Sequence, residues 1–146
     1  MKSKKDFIYV GIQVVLFVAY IIPVNITKIN IPEWLCYSGL LILALGIFLG
    51  IVALLQLNTK LSPFPTPVSN GKLITTGAYN ISRHPIYTAI ILSGLGYALY
   101  QTSCYKVLVT LGLMILFYFK SKYEEQLLFE KYLEYSDYKK KTRRFI

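Results

Sequence analysis

The sequence predicts an all-α integral membrane protein with four transmembrane helices, and three observations lead to this fold class. The chain has 146 residues, which is enough for one domain. Of these residues 55% are hydrophobic and 16% are charged, whereas a soluble domain typically carries about 25% charged residues. Four apolar segments follow one another, and the basic residues concentrate in the polar stretches that would lie on one side of them.

The four apolar segments are the predicted spans. Residues 7–24 and 34–57 reach the ~17 to 20 apolar residues that a spanning helix needs. Residues 86–100 and 105–119 are shorter, and the four residues between them predict a helical hairpin. These two segments cross a bilayer if their polar flanks continue the helices into the interface.

The distribution of charge predicts the orientation. If all four segments span, 14 of the 16 Lys and Arg residues lie on one side, and only Lys28 and Lys106 lie on the other. The positive-inside rule then places both termini in the cytoplasm, at the cell inner membrane. The net charge of +9 is a weak indication of nucleic acid, because the basic residues lie beside apolar segments, where anionic lipid head groups are nearer partners.

Two polar segments fall on the cytoplasmic side. Residues 58–84 contain three prolines, which favour an extended path, and Asn70-Gly71 predicts a tight turn. In the tail, Glu124, Leu128 and Tyr132 follow helical spacing. The tail is therefore predicted to form an amphipathic interfacial helix that continues from the fourth span.

Hairpin geometry links two distant motifs. Both apolar arms have fifteen residues, so Arg83 and His84 before the third span should lie level with Glu124 and Glu125 after the fourth. Pro85 suits the first turn of a helix, whose N-terminal end is partly positive and offers free N–H groups. One imidazole, one guanidinium and two carboxylates would converge on a cleft at the inner interface.

Each of these residues also has a simpler interpretation. Arg83 is a plausible anchor for a lipid phosphate, and His84 a plausible interfacial cap. The glutamate pair suits a solvated helix face, and Gly94 and Gly96 suit close helix packing. With one histidine and two separated cysteines, a protein-bound metal is improbable, and no metal site is predicted.

Two blocks of the sequence carry a family resemblance. "LITTGAYNISRHPIY" is similar to the Leu-x-x-x-Gly-x-Tyr-x-x-x-Arg-His-Pro-x-Tyr motif of the isoprenylcysteine carboxyl methyltransferases and the related phospholipid methyltransferases. "EEQLLFEKYLEYSDYKKKTRRFI" resembles their C-terminal Glu-Glu region, and the proline-rich approach before the first block also agrees. The resemblance covers roughly residues 58–146 and identifies this part as a methyltransferase core within a single membrane domain, with residues 1–57 supplying spans 1 and 2.

The resemblance implies S-adenosylmethionine as the methyl donor and a set of site residues. Arg83 and His84 would be catalytic. The residues expected to bind the cofactor are Tyr79, His84, Pro85, Tyr87, Gly94, Glu124 and Glu125.

The acceptor is left open by the sequence. The favoured interpretation is that the acceptor is a lipophilic small molecule or a prenylated molecule. Its acceptor group would be an isoprenylcysteine-like carboxylate or another small apolar carboxylate or thiol. The alternatives are a phospholipid amine N-methyltransferase and a non-catalytic four-helix protein whose basic tail binds membrane lipid. Only an amine acceptor has to lose a proton, which His84 or a glutamate would have to take.

Overall fold

The computed structural model describes residues 3–24, 28, 30–57, 62–67 and 72–146, and these residues form helices joined by loops. The predicted Asn70-Gly71 turn lies outside the described residues. In the described ranges the helices are α1 (Lys4–Ile21), α2 (Glu33–Leu57), α3 (Ala78–Ile81), α4 (Pro85–Tyr100), α5 (Cys104–Lys131) and α6 (Tyr135–Lys141). The all-helical class predicted from the apolar segments is confirmed for this part of the chain.

Local chemistry sets the start of α1. Ser3 and Asp6 form a capping box, in which the Ser3 hydroxyl accepts from the Lys5 backbone N–H and the Asp6 carboxylate accepts from the Ser3 N–H. Asp6 is fully buried and also accepts a hydrogen bond from the Thr66 hydroxyl of the proline-rich loop. Helix α1 is thereby fixed to the proline-rich loop.

Helices α2 and α4 pack closely because glycines face each other at their crossing. A Cβ atom on Gly96 would lie 2.5 Å from the Leu43 backbone nitrogen and 2.6 Å from the Gly39 carbonyl oxygen. Small residues allow such close approach of helix backbones. The packing interpretation of Gly96 therefore agrees with the structure.

Helices α4 and α5 form the predicted hairpin. The turn between them contains Thr102, whose φ of 49° lies in the left-handed region, and Ser103, which caps α5 by accepting from the Lys106 N–H. Lys28 forms an isolated antiparallel bridge with Ser103. Lys28 and Lys106 therefore lie together at the end of the bundle opposite Arg83 and Glu124, as the charge pattern requires.

The tail departs from the single continuous helix predicted for it. Helix α5 ends at Lys131, Tyr132 is extended at φ −120° and ψ 115°, and the seven-residue α6 follows. The break reverses the chain so that Tyr135 and Tyr138 become buried. Leu133, at the bend, is 99% exposed, so the spacing that suggested one amphipathic face is interrupted here.

The helices differ in whether their length and composition suit a membrane span. By length and composition α2 and α5 suffice, whereas α4 has 16 residues and α1 carries Lys4, Lys5 and Asp6 in its first turn. Helix α2 exposes large apolar side chains such as Phe48 and Leu55. Exposed apolar surface of this extent is typical of a helix that contacts lipid, and an all-helical structure with two candidate spans is consistent with a small helical membrane protein.

Candidate functional site

A buried ion network joins the two predicted motifs. Glu125, whose side chain is 3% exposed, accepts from Arg83 Nε at 3.1 Å and Nη2 at 3.0 Å, both at Oε1. Arg144 donates through Nε to Oε1 at 2.8 Å and through Nη2 to Oε2 at 2.9 Å. The hydrogen bond to Glu125 raises the pKa of the Arg144 guanidinium, so this group keeps its charge at any physiological pH.

The C-terminal segment completes this network through its backbone. The Arg83 N–H donates to the Arg143 carbonyl at 2.8 Å, and the His84 N–H donates to the Arg144 carbonyl at 3.2 Å. Arg83 Nη1 donates to the carbonyl oxygens of Lys139, at 3.1 Å, and Thr142. The donors of Arg83 are thus directed at protein acceptors.

Glu124 lies on a different side of α5 because neighbouring helical residues are rotated by about 100°. Its Oε2 accepts a hydrogen bond from the Tyr87 hydroxyl at 2.9 Å and lies 3.7 Å from His84 Nδ1. Its side chain is 25% exposed. The Tyr87 ring is held by parallel stacking against His84, at 5.3 Å between centroids, and against Phe117, at 4.5 Å.

His84 connects the two glutamates. Its Nε2 lies 3.4 Å from Glu125 Oε1 but makes no hydrogen bond among the described residues, although the atom is buried. Its Nδ1 faces Glu124. The single histidine of the chain therefore lies between the ion network and the partly exposed Glu124 carboxylate.

A buried lysine lies one helical turn before Glu124. Lys120 is 1% exposed, and its Nζ donates to Gln13 Oε1 of α1 at 2.6 Å and to the Pro63 carbonyl at 2.8 Å. The same nitrogen lies 5.4 Å from the centre of the Tyr87 ring. The hydrogen bonds of Lys120 join α1 and the proline-rich loop to the site.

A cavity of about 420 Å³, here called the site cavity, separates these groups. Its polar and aromatic lining includes Gln13, Ser62, Tyr79, Arg83, His84, Tyr87, Lys120 and Glu124. Pro85 also lines it at the start of α4. A lining of this kind, with few polar groups in apolar surroundings, is typical of a ligand site.

A second space, the aromatic cleft, adjoins the site cavity and measures about 150 Å³. The two share Tyr79, Arg83 and Glu124 in their walls, and Tyr132, Tyr135 and Tyr138 line the cleft alone. Burial, reinforced by the negative charge of Glu124, raises the pKa of Tyr79 to about 12. Its phenol therefore stays protonated and can donate a hydrogen bond.

A third space, the apolar groove, runs along the helices and measures about 600 Å³. Leu54, Ile86 and Ile90 line both the groove and the site cavity, so the two adjoin. Gly94 lines the groove rather than the site cavity, and its carbonyl accepts from the Tyr20 hydroxyl at 2.6 Å.

The structure thus brings most of the predicted site residues together. Tyr79, Arg83, His84, Pro85, Tyr87 and Glu124 line the site cavity, and Glu125 supports it from the ion network, whereas Gly94 lies apart. Sequence reasoning missed Lys120, Gln13 and Arg144. Gln13 is a lone polar side chain inside the first apolar segment, and polar residues in predicted spans mark functional sites. This signal could have revealed Gln13 and its partner Lys120.

Comparison with known families agrees with this geometry. A family model described as phospholipid methyltransferase matches residues 34–134, which is 101 of the 146 residues. The match includes the second span, which the motif resemblance had left out. A search of curated proteins finds no match. The chain therefore belongs to the phospholipid methyltransferase family, whose members are membrane methyltransferases that act on lipid-like substrates.

Proposed function

We propose that this protein uses S-adenosylmethionine to methylate a lipophilic acceptor at the cytoplasmic face of the membrane. One observation carries the proposal: the site cavity adjoins a polar, aromatic cleft on one side and an apolar groove on the other. A water-soluble donor and a lipid-soluble acceptor need two such unlike spaces that meet at one point.

The donor set around the site cavity fits S-adenosylmethionine. The Glu124 carboxylate suits the amino group or the ribose hydroxyls, and the phenol rings of the aromatic cleft suit the adenine. The N-terminal end of α4 after Pro85 suits the carboxylate. When bound, this cofactor supplies a methyl carbon that bonds to the acceptor atom while its bond to sulfur breaks and the electron pair stays on sulfur.

Residues of the chain divide into those that contact the donor and those that position them. We assign contact to Tyr79, His84 and Glu124, since they line the site cavity. Tyr87 positions Glu124 through its hydroxyl. Arg83 and Glu125 hold the wall in place. Fixing two reactants in line and excluding water supplies about 7–11 kcal/mol of the reduction in barrier.

The acceptor group we propose is a carboxylate or thiolate, as in an isoprenylcysteine-like molecule. The bases of the site are already engaged, since Glu125 binds two guanidiniums and Glu124 binds the Tyr87 hydroxyl. An acceptor with no proton to lose suits such a site. A phospholipid amine would require a free base.

Direct binding and label transfer test the proposal. We expect the purified protein in non-ionic detergent to be stabilised against heat by S-adenosylmethionine and by its demethylated product. We also expect label from a methyl-tritiated donor to appear in an isoprenylcysteine-like carboxylate rather than in phosphatidylethanolamine. Label in the amine alone would replace the proposed acceptor, and no binding of either cofactor form in detergent or lipid would overturn the methyl donor.

The orientation forms part of the proposal, because the donor is cytoplasmic. We propose that all four long helices span and that both termini lie inside. In a background with Cys36→Ser and Cys104→Ser, a membrane-impermeant thiol reagent should label Lys28→Cys and should spare Lys72→Cys in intact cells. The reverse pattern would place the site on the wrong side of the membrane.

A further inference from the structure

We propose that Lys120 is a specificity residue that binds an anionic group of the acceptor, either a carboxylate or a phosphate. The inference rests on the proposed function, because it assigns a substrate class to the same site. The observation behind the inference is a buried lysine: Lys120 is 1% exposed and lies in the wall of the site cavity.

The charge of Lys120 has no counter-ion within 4 Å in the described part of the chain. Its two hydrogen-bond partners there, Gln13 Oε1 and the Pro63 carbonyl oxygen, are neutral. Burying an ionised group without an ion-pair partner is unfavourable. An ammonium has three donors, so these two acceptors leave one N–H for a ligand, and the Glu124 and Asp6 carboxylates act on the charge only through space.

Other groups of the cavity define where that ligand would sit. Glu124, one turn further along α5, is the side chain assigned to the donor, and it is held by Tyr87. Lys120 lines the same cavity as Leu54, Ile86 and Ile90, which lead into the apolar groove. An amphiphile whose anionic head meets Lys120 would therefore place its tail in the groove.

The fixed position of Lys120 distinguishes it from an interfacial lysine that reaches toward lipid head groups. Two neutral acceptors from different elements, α1 and the proline-rich loop, hold its nitrogen at the cavity. Lys122, two residues further, is exposed and lines a separate space with Lys5 and Tyr123. Lys122 therefore provides a matched control on the same helix.

Binding of simple amphiphiles tests the proposal without turnover. Affinities for dodecanoate, dodecyl phosphate, dodecanol and dodecyltrimethylammonium would be measured calorimetrically in one non-ionic detergent. We expect the wild type to prefer at least one anion over dodecanol by about tenfold or more, the size of a hydrogen bond to a charged group. Lys120→Met should remove that preference, and Lys122→Met should keep it.

The two anionic amphiphiles distinguish the two possible anionic groups of the acceptor. Preference for dodecanoate alone indicates an acceptor carboxylate, and preference for dodecyl phosphate alone indicates a phospholipid phosphate. Lys120→Met removes a charge whose burial is unfavourable and keeps the length of the side chain, so this variant is expected to fold. Lys120→Gln, which removes the charge but keeps a side chain that can form hydrogen bonds with Gln13 and the Pro63 carbonyl oxygen, should also lose the preference and serves as a second variant.

The result that overturns the proposal is equal affinity of the wild type for anions and dodecanol, or an unchanged preference in Lys120→Met. Binding of the demethylated cofactor product by thermal shift is measured in parallel on every variant. Failure of that binding in the wild type contradicts the proposed function. Failure of the anion preference with intact cofactor binding contradicts only the role of Lys120.

Discussion

Glu124 and Glu125, two adjacent carboxylates of α5, have contrasting surroundings. Glu125 is enclosed by Arg83 and Arg144 and is 3% exposed, whereas Glu124 accepts a hydrogen bond from Tyr87, lies 3.7 Å from His84 Nδ1 and is 25% exposed at the site cavity. The pair reads as one motif in the sequence. In the structure Glu125 links α5 to Arg83 and to the C-terminal segment. Glu124 remains available to a ligand.

This contrast shows how a small membrane protein builds a polar site with few residues. The motif Arg83-His84 is divided in the same way: Arg83 faces the ion network, and His84 lies between the network and the cavity. The half enclosed in the ion network fixes the geometry, and the half that faces the cavity presents chemistry. Substitutions in the two halves should therefore separate stability from ligand affinity.

The largest expected effect is the loss of stability in Glu125→Gln. Removing this charge leaves Arg83 and Arg144 without their common partner, and breaking a buried pair costs about 3–5 kcal/mol. Thermal and denaturant unfolding in detergent would measure the change. Glu130→Gln, at an exposed position of the same helix, is the control and should leave stability unchanged. A stable Glu125→Gln variant that has lost only cofactor affinity would contradict the division.

The next effect is the loss of donor affinity in Glu124→Gln. The amide cannot accept hydrogen bonds as strongly as the carboxylate, and such a bond is worth about 1.5–3 kcal/mol. We expect the dissociation constant of S-adenosylmethionine to rise by about tenfold or more, while the unfolding temperature changes little. Equal affinity in wild type and variant would remove Glu124 from the donor site.

A smaller effect is expected for Arg83→Lys. Lysine keeps the positive charge beside Glu125, but it lacks the planar fork that also reaches the Lys139 and Thr142 carbonyl oxygens. Lost hydrogen bonds should lower the free energy of unfolding by about 1–3 kcal/mol, with donor affinity retained. Full stability combined with a large loss of affinity would instead show that Arg83 binds a ligand directly.

The smallest effect is expected for His84→Gln. Glutamine can donate a hydrogen bond but cannot act as a base, so this variant tests proton transfer alone. With a carboxylate or thiolate acceptor we expect most of the methyl transfer rate to persist over about pH 6 to 9. A rate that collapses at low and neutral pH would make His84 the general base and would favour an amine acceptor.

Much of the fold was predictable because one physical signal dominates it. Long apolar segments predicted α2 and the α4–α5 hairpin, and the equal arms of that hairpin predicted the meeting of Arg83 with Glu125. The family match and the helix lengths support this part. The spanning role of α1 and α4 stays a prediction, since α4 has only 16 residues.

The rest depends on contacts that no local pattern encodes. The helix breaks at Tyr132 because the tail returns to Arg83. The spacing of residues within the tail cannot predict a contact with a residue sixty positions earlier. The same holds for Arg144, which looks like one member of a basic terminal cluster. Lys120 resembles an interfacial anchor until Gln13 and Pro63 are seen around it.

The order in which the ion network is assembled has a consequence for synthesis of the chain. Glu125 leaves the ribosome before Lys139 and Arg144, and Arg83 reaches its carbonyl partners only when residues 139–144 have folded back. During insertion the hairpin therefore carries an incompletely neutralised carboxylate at the membrane boundary. The wall of the site cavity is therefore completed late in biogenesis, and under the proposed function a nascent chain whose helices have already been inserted would not yet bind the methyl donor.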